Sequence, residues 1–221
     1  MKRRVIAELL DDDLGTPEEI ANSLVDLRHI NDWFGGTRTT TSFLRRVVKE
    51  TGKTELSLLE IGAGLGDVPL GAQRALEKDG TALRVTLLDR VWSHLPSNEV
   101  PAVSGDAMRL PFCDGAFDVL SCSLFAHHFE PDTLPVMVTD ALRVCRCAVL
   151  INDLIRSQMH LDLVFLGLPL FRSRITWHDA PASVRRAYTL GEMKSMLAAV
   201  PARRIDVSRH FLFRMGVLIW K

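Results

Sequence analysis

Leu56-Ser-Leu-Leu-Glu60-Ile-Gly62-Ala-Gly64-Leu-Gly66-Asp67 is the stretch on which the fold turns. An apolar run, three glycines and an acid, with Pro69 close behind, spell strand, tight turn and helix start. Glycines in such a turn let backbone approach a ligand closely. The helix N-terminus beyond offers unpaired N–H donors.

The same grammar recurs on both sides. Short apolar runs stand at 57–61, 84–88, 117–121 and 148–154, with helical patterns at 68–78 and 133–144. Near-continuous apolar strands joined by helices predict a parallel sheet covered on both faces. Two strand-like runs at 204–211 and 214–220 have little between them, which predicts an antiparallel hairpin at one edge. Residues 1–55 read as an N-terminal helical lid segment. Thr16-Pro17-Glu18-Glu19 starts one helix, Gly35-Gly36 ends it, and Thr37 to Thr41 lead into another at 42–50. Residues 56–221 then form the main domain, with a cap insertion at about 156–188. Within that insertion, 158–171 (QMHLDLVFLGLPLF) is apolar all round yet too short to span a bilayer, so it is expected to cover an apolar ligand. Thr189-Leu-Gly-Glu192 opens a further helix with a capping box.

The 221 residues fit one domain with an appended lid. Basic and acidic residues balance at 27 each, so no global field attracts nucleic acid. The pairs Arg45-Arg46, Arg185-Arg186 and Arg203-Arg204 read as solvated faces. The start, MKRRVIAELLDDD, lacks the apolar run and cleavage site of a signal peptide. No run reaches the roughly 18 apolar residues of a transmembrane helix. Cys113, Cys122, Cys145 and Cys147 lack metal-ligand spacing and read as reduced thiols. The expectation is a cytoplasmic protein with a small-molecule partner, and a homodimer is left open.

The second strand ends in Asp89, 23 residues after Gly66, where a carboxylate commonly holds a ribose diol. The spacing is G-x-G-x-G, and Glu60 and Asp67 flank it. Two carboxylates repel a pyrophosphate but attract a sulfonium with an ammonium group. Charge sign therefore favours S-adenosylmethionine (SAM) over NAD, although Asp67 as a simple helix cap fits equally.

Glu60-Ile-Gly62-Ala-Gly64-Leu-Gly66 resembles motif I of class I SAM-dependent methyltransferases, and Asp89 matches the acid ending their second strand. Ser104-Gly105-Asp106-Ala107, Leu110-Pro111-Phe112 and Gly115-Ala116-Phe117-Asp118 resemble a further block of the family. That block is especially similar to the ubiquinone/menaquinone biosynthesis group. The resemblance spans about residues 56–155. It implies a three-layer Rossmann-like α/β sandwich with a seven-stranded, mostly parallel sheet whose last strand is antiparallel. It also implies SAM as cofactor, held by Glu60, Gly62, Ala63, Gly64, Gly66, Asp67, Asp89, Arg90, Gly105, Asp106, Ala107 and Ser123. Asp106 is expected at the adenine amino group, with a turn-forming role as the alternative.

The loop Ser121-Cys122-Ser123-Leu124-Phe125-Ala126-His127-His128-Phe129 follows the fourth strand, where the family keeps the transferred methyl group. His127 and His128 are the catalytic candidates: an imidazole there takes a phenolic proton or positions the acceptor. Asn152, Asp153, Trp33 and Phe165 are the candidate substrate-binding residues, with helix capping as the alternative for the first two. No metal site is expected, because adjacent histidines with Asp153 seldom converge on one ion. The expected reaction is O-methylation of a phenolic or polyketide-type acceptor. C-methylation of a quinone precursor or aromatic ring is the alternative, and a non-catalytic SAM-fold binding protein the reading from another class.

Overall fold

Thr16 accepts from the Glu19 amide while the Glu19 carboxylate accepts from the Thr16 amide, and this capping box launches α1 (Pro17–Trp33). The computed structural model describes residues 1–96 and 100–221. Helix α2 (Gly36–Thr51) begins six residues before the predicted start at 42. Gly35, at φ 77°, makes the break by itself. Thr39, Thr40 and Thr41 are then free to lie buried inside the helix rather than in a linker.

Beyond α2 follow β1 (Glu55–Ile61), α3 (Asp67–Lys78), β2 (Ala82–Asp89), β3 (Ala102–Ser104), β4 (Phe117–Ser123) and α4 (Leu134–Val144). The chain continues through β5 (Cys145–Leu154), α5 (Gln158–Gly167), α6 (Arg174–Arg186), α7 (Leu190–Leu197), β6 (Arg204–Arg209) and β7 (Arg214–Trp220). The seven strands lie in the order β3-β2-β1-β4-β5-β7-β6. The first five pair in parallel, and β7 runs antiparallel between β5 and β6. Three-residue β3 was missed in the sequence, being too short to show a periodicity.

Alternation along the strands builds the three layers. Leu58, Leu150 and Leu218 point to one face, against Phe43, Leu44 and Val47 of α2 and Leu76 of α3. Leu59, Val149, Ile151 and Val217 point to the other, against Met137 of α4 and Met193 and Leu197 of α7. Helix α2 therefore belongs to the sandwich. This corrects the reading of all of residues 1–55 as a lid: the amphipathic stripe of α2 finds its partner on the sheet, and only the segment through α1 lies outside it.

Chain order reverses between β1 and β4, so a crevice opens at the carboxyl ends of these strands. Helices α5 and α6 are inserted between β5 and α7, and α1 packs on α6. Of α5, only Leu161 is buried; Met159 and Leu166 are 63% and 78% exposed. No helix among the described residues is long and apolar enough to cross a membrane. The four cysteines are unbridged thiols.

Candidate active site

The crevice holds a cavity of about 530 Å³. The end of β1 and the start of α3 form one wall. Gly62, Gly64 and Gly66 all have positive φ (63°, 49° and 73°). A Cβ on Gly62 would lie 2.6 Å from the Phe125 ring, and one on Gly66 2.8 Å from Leu87. The turn is thus closed to side chains on steric as well as torsional grounds.

Asp89, at the end of β2, ties this turn in place. Its Oδ2 accepts from the Gly64 amide at 2.9 Å and its Oδ1 from the Val91 amide at 3.0 Å. Each carboxylate oxygen keeps a lone pair for a further donor. Glu60 is 1% exposed and accepts from the Ser121 hydroxyl. Burial raises its pKa to about 7, against the lowering pull of that hydroxyl. Asp67 instead pairs with Arg28 of α1 at 2.8 Å, so the electrostatic preference for a cationic ligand rests on Glu60. The Asp106 Oδ1 accepts from the Met108 amide at 2.8 Å, which makes it a turn-former with its second oxygen uncommitted. Arg90 donates to the Asp11 carbonyl at 3.1 Å. All twelve expected cofactor residues line the cavity, as do both histidines. The donors and acceptors suit SAM. A buried carboxylate offers itself to a cation, a second keeps lone pairs for hydroxyls, and the glycine cradle admits close packing.

The opposite wall comes from distant parts of the chain. Residues 3–13 are tied across it. Leu9 and Leu10 amides donate to Asp179 of α6 at 2.8 and 3.0 Å. Asp11 meets His128 Nδ1 at 3.0 Å, and Asp13 meets His94 at 2.6 Å. Arg3 donates to Glu130 and to the Arg186 carbonyl, both at 2.8 Å. Leu163, Val164 and Phe171 of the insertion, with Leu24 and Leu27 of α1, supply apolar lining.

His127 is 1% exposed. Its Nδ1 lies 2.7 Å from Asp153 Oδ1, and its amide donates to Asp153 Oδ2 at 2.9 Å. Its Nε2 faces Glu8 Oε1 at 3.4 Å. Burial disfavours the charged ring, but Asp153 and Glu8 outweigh it and push its pKa up to about 10. Two buried carboxylates thus favour the charged ring over the neutral imidazole that proton abstraction requires. Arg214 of β7 is 1% exposed, and burial lowers its pKa to about 10. It donates to Asn31 at 2.8 Å and to Asn152 at 3.3 Å.

The four expected substrate residues lie outside the lining. Asn152 is buried and donates to the Gly36 carbonyl and the Thr40 hydroxyl, which pins α2 to the sheet. Asp153 spends its carboxylate on His127 and the Leu154 amide. Trp33 stacks on His29, and Phe165 lies 48% exposed under Arg185. The strand-end rule places Asn152 and Asp153 near the crevice, but both side chains point into protein. A helix has one face toward the cavity, and Phe165 sits on the other. Glu8 and Arg214 were missed. No local signal marked them, since each acquires its position from a partner remote in sequence.

The methyltransferase domain family matches residues 59–148. No curated protein matches the chain in sequence. Among solved structures, the plantazolicin methyltransferase BpumL, in complex with a desmethylplantazolicin analogue and S-adenosylhomocysteine, superposes with TM-score 0.69 at 14% identity. That alignment covers 97% of this chain and 94% of BpumL. Human N-acetylserotonin methyltransferase, in complex with SAM, aligns with TM-score 0.61 at 12% identity over 90% of this chain. The chain spans about half, 54%, of the length of that human protein. A SAM-dependent methyltransferase from Aquifex aeolicus gives TM-score 0.52 at 15% identity, over 80% of this chain and 88% of its own. The fold and the crevice define a Rossmann-like nucleotide-cofactor domain. Within it, residues 59–148, which carry the glycine turn and Asp89, match the methyltransferase domain family, and the fold is the one shared by these solved SAM-dependent methyltransferases.

Proposed function

We propose that this chain transfers a methyl group to an oxygen of a small hydrophobic acceptor, a phenolic or polyketide-type compound. One observation carries the reading. A single cavity runs from the glycine turn to apolar side chains of α1 and α5 and to the two histidines. Its volume falls in the range of small-molecule sites.

In this reading SAM supplies the methyl on a sulfonium, and the chain's work is holding and excluding. Glu60 takes the cationic end, Asp89 the ribose hydroxyls and the uncommitted oxygen of Asp106 the adenine. Gly62, Ala63, Gly64, Gly66 and Gly105 give backbone access, and Ala107, Ser123, Asp67 and Arg90 close the sides. Residues 1–33 act as the lid and about 156–188 as the cap, shielding an apolar acceptor from water. Alignment of acceptor oxygen and methyl carbon then accounts for much of the rate. The test is a SAM-consumption screen across phenols, quinols and fatty acids, with the product examined by NMR. An O-methyl product from a phenol supports the reading. Methyl on ring carbon moves the assignment to C-methylation, and SAM binding without turnover of any acceptor moves it to a binding protein.

A further inference from the structure

Three ligating side chains from two distant segments meet in the cavity wall. Glu8 is 8% exposed and His127 1%. Glu8 Oε1 lies 3.4 Å from His127 Nε2, and Glu8 Oε2 lies 3.8 Å from His128 Nε2. One donor atom from each of the three falls within 4.8 Å of the other two. Glu8 Oε1 and His127 Nε2 are both fully enclosed yet have no hydrogen-bond partner. Buried polar atoms left so are uncommon and costly.

The outer contacts fix how the rings point. His127 Nδ1 is held by Asp153 at 2.7 Å, and His128 Nδ1 by Asp11 at 3.0 Å. A carboxylate on each Nδ1 turns the Nε2 edge of both rings towards Glu8, the usual support behind metal-bound histidine. Arg186 Nη1 lies 3.3 Å from His128 Nδ1 rather than at the Nε2 that faces Glu8. Two ring nitrogens thus face one carboxylate across distances too long or too poorly angled for hydrogen bonds. One proton satisfies at most one of them; one metal cation satisfies both.

We propose that Glu8, His127 and His128 form a binding site for a divalent transition-metal ion in the cavity wall. Two imidazoles and one carboxylate suit zinc, cobalt or iron(II) over magnesium or calcium, which prefer oxygen. Zinc bonds of about 2.0–2.2 Å at tetrahedral angles set ligand atoms roughly 3.3–3.6 Å apart, against 3.4 Å for the Glu8–His127 pair and 3.8 Å for Glu8–His128, which has to close slightly on the ion. Three protein ligands leave a fourth position, which would take the acceptor oxygen and stabilise it as the anion while its proton passes to solvent. That last role rests on the proposed acceptor; the metal site does not.

The experiment titrates chelator-treated chain with Zn(II) by calorimetry and with Co(II) by visible absorption, without SAM. The expected result is one ion per chain with sub-micromolar affinity and a tetrahedral cobalt spectrum. Glu8→Gln should weaken binding by at least about 100-fold, and Asp11→Asn by about 10–100-fold. Equal zinc affinity in native chain and Glu8→Gln overturns the site and leaves an imidazolium between two carboxylates. Should Glu8→Gln fail to fold by circular dichroism, His128→Ala serves in its place, and undiminished affinity there overturns the site equally. Adding a catechol with S-adenosylhomocysteine should shift the cobalt bands. Unshifted bands overturn the acceptor role while leaving methyl transfer to be judged by turnover.

Discussion

Glu60, the glycine turn and Asp89 come from β1, the turn after it and β2, neighbouring strands joined by one helix. Glu8, His128, Asp179 and Arg186 come from an irregular N-terminal segment, a loop after β4 and the middle and C-terminal end of α6, and they meet only in three dimensions. The first wall is held chiefly by backbone: strand pairing, tight torsions and amides donated to one carboxylate. The second is held by side chains bridging long stretches of sequence, such as Asp11 to His128 across 117 positions. A wall made of backbone tolerates few substitutions; a wall made of side-chain ties can be loosened one tie at a time.

The sharpest way to break the first wall is Gly62→Val. A Cβ at 2.6 Å from the Phe125 ring, on a residue at φ 63°, adds overpacking to torsional strain, each costing about 1–3 kcal/mol. Calorimetry should show SAM binding abolished and thermal denaturation a clearly lowered melting temperature. Unaltered SAM affinity would mean the turn does not form the cofactor cradle.

Asp89→Ala should come next. Loss of charged hydrogen bonds at about 1.5–3 kcal/mol each predicts at least a tenfold loss of SAM affinity. The Gly64 and Val91 amides also lose their acceptor, so the cofactor-free chain should melt a few degrees lower. A variant that melts lower yet binds SAM normally would make Asp89 a purely structural clamp.

Glu60 sharpens the comparison through pH. Its carboxyl is raised from 4.5 to about 7 by burial, so the folded chain holds this proton more tightly than the unfolded one. Its contribution to stability is complete below 4.5 and is lost as pH climbs through 7. SAM affinity should do the reverse, rising across pH 7 as the carboxylate forms opposite a cation. Glu60→Gln should flatten both profiles; a wild-type SAM affinity flat between pH 6 and 8 refutes the pairing.

Smallest of all should be Phe165→Ala, on the outward face of α5. Surface changes away from special features stay within about 0.5 kcal/mol, so acceptor KM should shift by less than about threefold. Val164→Ser, on the cavity side, should raise KM several-fold with SAM affinity unchanged. Equal effects at both positions would remove α5 from the acceptor site.

How much was legible in the chain itself follows the same division. Leu56 to Asp67, Asp89 and the terminal hairpin state their structure locally, through apolar period, glycine placement and charge, so the sheet and the cofactor wall could be read directly. The start of α2 could not, because a left-handed Gly35 and buried threonines reverse the usual meaning of a Gly-Thr-rich stretch. Asn152 and Asp153 were placed at the right strand end, but which way a buried amide points is decided by Thr40 and Gly36. Glu8 had no local mark at all. Its significance exists only beside His127 and His128.

The strap of residues 3–13 has a consequence for how the chain reaches its native state. Synthesis produces this segment before every element it grips, and its partners include Glu130, Asp179 and Arg186. Contacts of such sequence separation close late and slowly, since loop entropy must be overcome before they form. The sandwich can therefore condense around its local strand–helix units while the strap is still loose. Closing this wall is then expected to be the final event of folding, and the same ties are the ones expected to open first when the native chain breathes.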